Sequence, residues 1–501
     1  MVTVRIPSAL RRYAAEHDRI VVEGETVAEV VSAACAAHPD LTERLVDERG
    51  MLRPHLAVFV GERRIDREDV ASTAVAATDL VTVLVSIAGG GHDDVRMIGF
   101  RERATVEDAL AAALSGVAPL AAEEVALADA ANRVSSGAII STVDLPSFRR
   151  STMDGYAVVA DDTFGATPYA PIALAVAGAS MPGDSEVPEV ASGAAVRIMT
   201  GAPLPEGADA VLRAEDAAED GGVVMVKAPV APGRNVGRIG EDVVAGTEVL
   251  GAGRRLLPQD LGLLAAIGRA TVPVHRRPLV RVIVSGDELL APGAAPVGTR
   301  IVDSNSPMLA ALVGRDGGVV AEVVRLPDGA GPMREALQRP GADVILTAGA
   351  VSVGQEDHTP RLVAELGELP IHGVAMRPSS PTGIGRIGGA PVLLLPGNPV
   401  SCLVAYEFFA GPVIRVLGGR SPAWPHRRLR LPLSKRLVSR IGRTDYARVL
   451  IRDGAVEPLA IGGASVLSSV TRADGFVIVP AGSEGFAEGA EVEVGLYGGA
   501  G

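Results

Sequence analysis

Short apolar runs alternate with helix-forming segments between residues 279 and 420, and this alternation constrains the fold more than any other feature. The runs LVRVIVS, VILTA and VLLL are almost wholly apolar, which is typical of strands buried on both faces of a parallel sheet. The intervening segments open on Ser-Pro (306–307), Thr-Pro (359–360) or Asn-Pro (398–399), which suit the N-cap and first residue of a helix. We therefore predict a three-layer α/β domain with a parallel sheet.

Polar loops follow the predicted strands, at the sheet edge where ligands of parallel sheets bind. Carboxylates at strand ends hold Mg²⁺ together with waters and substrate phosphates. Four acids occupy such loops: Asp287, Glu288, Asp303 and Asp357. Any one of them alone is more often a solvated surface charge than a ligand, whereas four at one sheet edge are explained equally well as a magnesium site and as surface charges.

Two small-residue loops at the same edge favour an anion. The loop PGNPVS (396–401) places backbone N–H groups at a helix N-terminus, which is a natural anion site. The loop GAVSVG (349–354) has small residues that let the backbone approach a ligand closely. Each loop alone is also compatible with an ordinary strand-to-helix turn.

The rest of the chain reads as β-rich regions preceded by two helices. One helix is capped by Thr105, with Asp108 three residues later, and a second is predicted over 121–131. Residues 148–273 consist of short alternating strands between Gly/Pro turns, so we predict mostly β structure. Residues 421–501 predict a small separate β domain.

The N-terminal segment predicts a small α/β unit of its own. Residues 2–6 alternate apolar and polar as in a half-buried strand, and Thr26 is placed to cap a helix over 27–34. Further strands are predicted at 56–60 and 80–87, and the last of them runs into Ala-Gly-Gly-Gly.

This order resembles the β-grasp (ubiquitin-like) sulfur carriers, in particular the small subunit of molybdopterin synthase. In that family the chain ends at the second glycine, whose carboxylate is adenylated and converted to a thiocarboxylate. The resemblance implies a sulfur carrier released by cleavage at Gly90 or Gly91, because an internal amide has no carboxylate to activate. It implies the large subunit of molybdopterin synthase and an activating adenylyltransferase as partners. The alternative is a flexible glycine linker.

Composition excludes several classes of function. The 501 residues carry a net charge of −13, which argues against nucleic-acid and membrane-surface partners. Cys35 and Cys402 are isolated, so zinc, iron–sulfur and dithiol sites are excluded and a reducing, cytoplasmic location is expected. The sequence has no signal-peptide pattern and no run of about 18 apolar residues, so we expect a soluble chain without a membrane span.

Motifs across residues 96–501 resemble the molybdopterin molybdenumtransferase family, which includes the E domain of gephyrin. They occur in the family's order and spacing: MDGYAV, IMTGAPLPEGADAV, GED, SGDEL, DSN, GAVSVG, LLLPGNPVS and VLSSV. The resemblance implies insertion of molybdate into adenylylated molybdopterin, with Mg²⁺-dependent release of AMP. It also implies an elongated homodimer whose active site joins the α/β domain of one subunit to the MDGYA-bearing domain of the other.

Together the resemblances imply a multidomain α/β and β architecture. Its parts are a β-grasp domain (1–91), a linker and dimer domain (96–147 and 233–278), a β-rich domain with the MDGYA motif (148–232), an α/β molybdopterin-binding domain (279–420) and a C-terminal β domain (421–501).

The motif matches also imply residue roles. Catalytic residues would be Asp154, Thr200, Asp242 and Glu288, with Asp154 and Asp242 near the molybdate and the dithiolene. Metal ligands would be Glu288, Asp303 and Asp357. Substrate-binding residues would be Asp303, Asn305, Gly349, Ser352, Gly354, Arg377, Ser379, Ser380, Gly397, Asn398, Ser401, Arg443 and Ser468. In the C-terminal domain Arg448 and Ser469 are alternatives to Arg443 and Ser468.

One loop departs from the family pattern. Relatives commonly read KPGKP, or KPG, a variable residue and Pro, where this chain reads RPSSP (377–381). Arg377 keeps the charge and fits a chain in which only Lys227 and Lys435 are lysines. Ser379 and Ser380 remove a cation and add two hydroxyls where an anion is expected, so affinity for the anion and its identity are open.

Three functions therefore compete. The first is molybdate insertion, the second is a non-catalytic molybdopterin-binding or scaffold protein, and the third is a relative specific for tungstate. The matched acids and hydroxyls are all present, which favours the enzyme, because a degenerate scaffold should have lost some of them.

Overall fold

The computed structural model describes residues 1–6, 13–15, 17–46, 56–61, 63–65, 69–85, 103–349 and 358–500. It separates into two compact units, Met1–Met97 and Ile98–Gly501. Five predicted site positions lie outside the described residues: Gly90, Gly91, Ser352, Gly354 and Asp357.

The first unit is a mixed sheet packed against a helix. Its elements are β1 Val2–Arg5, β2 Arg19–Val22, α1 Val27–Ala37, α2 Thr42–Leu45, β3 Leu56–Val60, β4 Arg63–Ile65 and β5 Leu80–Val85. The strand order is β2-β1-β5-β3-β4, with β1 and β5 parallel and the other neighbours antiparallel. Thr26 caps α1 as predicted, since its Oγ1 accepts the N–H of Glu29 at 3.3 Å.

The second unit begins with α3 Val106–Leu114, and Thr105 caps it as predicted. The Thr105 hydroxyl accepts the N–H of Asp108 at 3.0 Å and donates to its carboxylate at 2.7 Å. The predicted helix over 121–131 is wrong, because these residues form β6 Ala122–Ala126 and a short 3₁₀ turn. Alanine favours a helix, but β6 pairs along its whole length with the strand Thr271–His275, and this pairing overrides local propensity.

The following region is mostly β, as predicted. Its elements are β7 Ile139–Ile140, β8 Arg150–Ser151, β9 Gly155–Val158, β10 Ile172–Ser180, β11 Ala194–Ile198, β12 Ala210–Arg213, β13 Ala217–Asp220, β14 Val223–Val226, β15 Val236–Gly237, β16 Glu248–Leu250, α4 Pro258–Ala266 and β17 Thr271–His275. One sheet has the order β12-β9-β11-β10-β14-β13. The ribbons β6-β17, β7-β16 and β8-β15 tie the start of the unit to residues 236–275. The predicted domain boundaries themselves stay a prediction.

The α/β region has the order β21-β18-β22-β26-β25-β23. Its elements are β18 Leu279–Ser285, β19 Leu289–Leu290, β20 Ile301–Val302, α5 Asn305–Arg315, β21 Val319–Leu326, α6 Ala330–Gln338, β22 Val344–Ala348, α7 Thr359–Leu366, β23 Glu368–His372, β24 Met376–Arg377, β25 Gly383–Ile387 and β26 Ala390–Leu395. Val282 packs with α5, whereas its neighbour Ile283 packs with α6 and α7 on the opposite face. This confirms the three-layer prediction. The helix α5 begins at Asn305 with Ser304 as its N-cap, two residues earlier than predicted.

Two strands of this sheet run against the others. The strand β25 pairs antiparallel with β26, and β23 pairs antiparallel with β25. Gly388 and Gly389 join β25 to β26 with positive φ at both positions (57° and 86°), the geometry of a tight hairpin turn. The predicted parallel sheet therefore has an antiparallel edge.

A continuous helix of residues 399–417 crosses one face of this sheet. It consists of α8 Pro399–Ala405, a π-helical turn Tyr406–Ala410 and α9 Gly411–Leu417, and Asn398 precedes Pro399 at its start as predicted. Contrary to the sequence expectation, it is long and apolar enough to cross a membrane, with a mean hydropathy of 1.6. However, 94% of that segment is buried inside the protein, which is the situation of a core helix.

The C-terminal region is a second β-sheet. Its elements are β27 His426–Pro432, β28 Leu437–Val438, β29 Thr444–Arg452, β30 Ala455–Ala460, α10 Ser468–Thr471, β31 Gly475–Val479, β32 Gly485–Phe486 and β33 Glu491–Ala500. This sheet is not separate, because its order β24-β29-β31-β33-β27 includes a strand from the preceding region. The pairing of β24 with β29 places the RPSSP loop beside the segment GRTDYAR.

Candidate active site

Asp154 and Thr200 are brought together on the β-rich region. The Asp154 carboxylate accepts hydrogen bonds from the Thr200 backbone N–H at 2.7 Å and from its hydroxyl at 2.8 Å. These bonds lower the pKa of Asp154, so the exposed carboxylate stays ionised. The sequence prediction thus named two residues that form one hydrogen-bonded pair.

The chain conformation around Asp154 is tightly constrained. Ser151 exchanges backbone hydrogen bonds with the loop of Gly201 and Ala202, and Thr152 donates to the carbonyl of Asn235. A Cβ atom on Gly155 would lie 1.9 Å from the Leu212 carbonyl oxygen, so only glycine fits there. These contacts present Asp154 on a fixed turn between two loops.

Asp242 lies in the loop between β15 and β16, in the same β-rich region. Its backbone N–H donates to the Leu145 carbonyl at 3.0 Å, and its side chain is exposed. The preceding Glu241 accepts from Arg150 at 3.1 Å and from the Arg238 N–H at 3.0 Å. This loop is therefore anchored to the strand that leads to Asp154, and Asp242 is left facing solvent.

A second group of predicted residues lies at the carboxyl end of the α/β sheet. Asp287 and Glu288 follow β18 and are exposed. The backbone N–H of Asp287 donates to the Asp328 carboxylate at 3.4 Å, and that of Asp328 donates to the Asp287 carboxylate at 3.2 Å. These bonds join the loops that follow β18 and β21.

Asp303, in this group, stabilises the start of α5. It is 2% exposed, and its oxygens accept the N–H of Ser306 at 2.9 Å, the Ser306 hydroxyl and Arg325 Nε at 3.1 Å. In this geometry Asp303 fixes the start of α5, and its Oδ2 accepts both the Ser306 hydroxyl and Arg325. Asn305, held by this turn, donates to the Gly397 carbonyl at 2.7 Å.

The donor set fits a magnesium ion only in part. Among the described residues, no three His, Cys, Asp or Glu side chains are grouped so that they could hold a metal ion. Mg²⁺ is usually held by one or two carboxylates together with substrate phosphates. Glu288, with Asp287 beside it, offers this minimal set.

The glycine loops bring backbone segments into close contact. A Cβ atom on Gly349 would lie 2.6 Å from the Ser285 carbonyl oxygen, and one on Gly397 would lie 3.4 Å from the Gly349 Cα. The start of α8 is partly covered, because Val400 N–H donates to the Ala464 carbonyl at 3.0 Å. The N–H of Val400 is therefore already used and does not face an anion at this helix N-terminus.

Two arginines contact one buried carboxylate beside this edge, and a third arginine lies three residues further along β29. Asp445 is fully buried and accepts Arg377 Nη2 at 2.6 Å and the Ser439 hydroxyl at 2.7 Å. Arg443 Nε lies 3.2 Å from Asp445 Oδ1, an ion-pair distance without hydrogen-bond geometry. Arg448 is fully buried and donates to a backbone carbonyl through Nη2.

This arginine cluster (Arg377, Arg443 and Arg448) has unused donors. Buried N–H groups without a hydrogen-bond partner among the described residues are Arg377 Nε, Arg443 Nε and Nη2, and Arg448 Nε and Nη1. Burial lowers the pKa of Arg443 and of Arg448, and repulsion from Arg377 acts in the same direction. Buried polar groups normally have partners in the protein, in ordered water or in a ligand, so an anion or ordered water is expected to satisfy these donors. Both C-terminal arginines left open by the sequence belong to this cluster.

The RPSSP loop joins this cluster to α8. Ser379 adopts φ +85°, a conformation that favours glycine, and its buried hydroxyl donates to the Ser401 carbonyl at 2.6 Å. The Ser380 hydroxyl is buried without a partner in the described structure. Asn398 accepts a hydrogen bond from Ser465 at 2.8 Å, so the loops of the two sheets form one continuous surface.

The two candidate serines near the C-terminus differ in exposure. Ser468 is exposed at the start of α10, whereas Ser469 is buried and its hydroxyl donates to the Val466 carbonyl at 2.6 Å. Only Ser468 is presented to a ligand. Sequence reasoning missed Asp445 and Arg325, although an acid between two arginines in GRTDYAR was a usable signal for Asp445.

Comparison with known proteins covers most of the second unit. Three family models match: the MoeA N-terminal region (domains I and II) at residues 104–268, a probable molybdopterin-binding domain at 281–416 and the MoeA C-terminal region (domain IV) at 430–497. Molybdopterin molybdenumtransferase 2 of Mycobacterium tuberculosis is 38% identical over 387 residues, which are 74% of this chain and 94% of the relative. A putative molybdopterin biosynthesis protein of Methanocaldococcus jannaschii is 36% identical over 384 residues, 74% of this chain and 91% of the relative.

A solved structure agrees with these matches. The molybdopterin biosynthesis MoeA protein of Pyrococcus horikoshii has a TM-score of 0.67 and 31% identity, covering 79% of this chain and 100% of that chain. The chain therefore belongs to the molybdopterin molybdenumtransferase family, an enzyme family of molybdenum cofactor biosynthesis.

Proposed function

We propose that this chain inserts molybdate into adenylylated molybdopterin and releases AMP. The observation that carries the proposal is the arginine cluster with its unused, buried N–H groups. Molybdate is a tetrahedral dianion, and fixed guanidinium donors are the strongest neutral-pH partners for such oxygens. Ser380 and Ser468 would add hydroxyl contacts from the two neighbouring loops.

The sheet edge would take the phosphate-bearing part of the substrate. Gly349 and Gly397 let the backbone approach it, and Asn305 holds the Gly397 carbonyl in place. Glu288 would hold Mg²⁺, which when bound neutralises phosphate charge as AMP leaves. Asp303 supports this edge by fixing the start of α5.

Asp154 would act from the β-rich region as an ionised acceptor. Because Thr200 lowers its pKa, Asp154 accepts a proton or a hydrogen bond and is a poor general acid. Asp154 and the arginine cluster lie on different sheets of the chain. From the family resemblance we propose a homodimer in which Asp154, Thr200 and Asp242 of one subunit complete the site of the other.

The N-terminal unit is proposed as a β-grasp sulfur carrier released by cleavage at Gly90 or Gly91. Its support is the strand order, in which the parallel pair β1 and β5 lies at the centre and β5 leads towards the glycines. The large subunit of molybdopterin synthase and an adenylyltransferase would be its partners. The domain boundaries and a cytoplasmic location belong to the same proposal.

The test is AMP release from adenylylated molybdopterin by the full chain with Mg²⁺ and molybdate. We expect molybdate-dependent release, and at least a tenfold loss in Arg377→Gln, since one charge-assisted contact of roughly 1.5–3 kcal/mol is removed. Arg428→Gln is the matched control, because Arg428 is an exposed arginine paired with Glu493 in the C-terminal sheet. Release with tungstate alone would favour the tungstate-specific relative. Substrate binding without release by either oxyanion would favour the scaffold.

A further inference from the structure

A second polar pocket, of about 240 Å³, lies away from the arginine cluster. We call it the junction pocket, because it lies where the β6–β17 ribbon meets the ends of two helices of the α/β region. Its walls are the loop 131–134, the residues at and after the end of β17, the turn after α5 and the turn after α9. The residues used below are Asn132, Arg133, His275, Arg277, Gly317 and Arg420.

The junction pocket carries uncompensated positive charge. None of its lining residues is an acid. The nearby Asp316 is fully buried and already paired with Arg315 at 2.8 Å and Arg415 at 2.9 Å. Arg133 is paired with Glu123. For Arg277 and Arg420, in contrast, no carboxylate partner lies within ion-pair distance among the described residues.

Arg420 is held in place by neutral groups alone. Its Nη1 donates to the Arg315 carbonyl at 3.0 Å and its Nη2 to the Asn132 carbonyl at 2.8 Å. Burial, and then repulsion from Arg255 and Arg277, lowers the pKa of Arg420, although attraction to the nearby Asp316 acts in the opposite direction. A half-buried cation without a counter-ion is costly, and an anionic ligand removes that cost.

Two glycines allow the side chains of Arg420 and His275 to pack directly on the backbone. A Cβ atom on Gly317, at φ +92°, would lie 2.8 Å from the Arg420 Cζ atom. A Cβ atom on Gly419 would lie 2.4 Å from the ring of His275. The guanidinium and the imidazole therefore pack directly on the backbone, in orientations that the main chain fixes before any ligand arrives.

We propose that the junction pocket binds a diphosphate group. Two guanidinium groups without a counter-ion suit an anion of at least two charges, and diphosphate chemistry is carried by free pyrophosphate and by nucleoside diphosphates. The ligand would join loop 131–134 to the ends of α5 and α9 and so stabilise the junction of the two regions. This proposal does not depend on the reaction at the arginine cluster.

The test is calorimetric titration of the full chain with pyrophosphate and with ADP, each against sodium chloride at matched ionic strength. Arg277→Gln is the main variant, because Arg277 is exposed and its loss should leave folding intact. Arg361→Gln is the matched control, an exposed arginine paired with Glu365 on α7. Weaker binding in Arg377→Gln would show that the compound binds at the arginine cluster instead of the junction pocket.

We expect saturable binding that Arg277→Gln weakens about tenfold or more and that Arg361→Gln and Arg377→Gln leave unchanged. We also expect pyrophosphate to raise the unfolding midpoint of the wild type and not that of Arg277→Gln. Tighter binding of pyrophosphate than of ADP identifies the free ion as the ligand, and the reverse identifies the nucleotide. The proposal is overturned if neither compound binds above the salt control, or if Arg277→Gln binds both compounds as tightly as the wild type does.

Discussion

Replacing Asp445 with asparagine should lower the free energy of unfolding and raise the affinity for molybdate. Both effects follow from the loss of one negative charge. Asp445 accepts Arg377 Nη2 at 2.6 Å and lies 3.2 Å from Arg443 Nε. Asparagine keeps an oxygen for Arg377 but not the charge, and a charge-assisted hydrogen bond is about twice as strong as a neutral one. Arg377 is 34% exposed, so solvent screens part of the loss. We expect the free energy of unfolding to fall by roughly 1–2 kcal/mol.

The same carboxylate repels an anion bound by the arginine cluster. At an effective dielectric constant near 20, a unit charge and a dianion about 7 Å apart interact by roughly 4.7 kcal/mol. Salt screens part of this energy. Removing the charge of Asp445 should therefore tighten molybdate binding about tenfold, which corresponds to about 1.4 kcal/mol.

Molybdate titration calorimetry and urea unfolding measure the two effects separately. The matched control is Asp343→Asn, because Asp343 forms a similar ion pair with Arg276 at 2.7 Å at the start of β22. It should lose comparable stability and keep the molybdate affinity of the wild type. Weaker or unchanged molybdate binding in Asp445→Asn would refute the reasoning, since Asp445 would then organise the arginines for the anion instead of opposing it.

Three further substitutions probe other parts of the structure. Ser380→Lys should tighten molybdate binding about tenfold and make it more salt-dependent; an unchanged titration would place the anion away from this loop. Asp154→Asn should lower AMP release about tenfold or more, and Thr200→Val should move the acid limb of the rate profile to higher pH, because it removes a hydrogen bond that lowers the pKa of Asp154. Burial acts to raise the pKa of Asp343, but hydrogen bonds from Arg276 and from a backbone N–H outweigh it and lower the pKa below 3.8. This stabilisation is present above pH 3.8 and lost as the pH falls through the lower folded pKa, so the stability difference between wild type and Asp343→Asn should shrink on acidification in a series of urea titrations.

The sequence predicted the fold best where local pattern and tertiary environment agree. The apolar runs of the α/β region became buried strands, and the caps at Thr105 and Asn398 begin helices as predicted. The prediction failed over 121–131, where alanine propensity favoured a helix and pairing with β17 imposed a strand. The antiparallel edge was missed although Gly388 and Gly389 are a hairpin signal.

The candidate site was predictable to the level of motifs. Asp154 and Thr200 are 46 residues apart in sequence, and only the motif match linked them before the structure gave their hydrogen bonds. The metal assignment of Asp303 shows the opposite case. An acid in a loop after a strand looks like a solvated ligand, but Asp303 is buried and hydrogen-bonded to Ser306 and Arg325, and its role as a metal ligand stays a prediction.

The motif match named the three arginines, but the contact of Arg377 with Asp445 could not be predicted, because it depends on contacts between distant segments. Arg377 and Asp445 are 68 residues apart and meet only because β24 pairs with β29. The RPSSP loop and the GRTDYAR segment are therefore parts of one electrostatic unit, and a change in either alters the field at the other. Arg377→Gln and Asp445→Asn should accordingly be non-additive in molybdate binding, with a coupling of about 0.5–3 kcal/mol in a double-mutant cycle. Additive effects would mean that the anion binds outside the region where these two charges act.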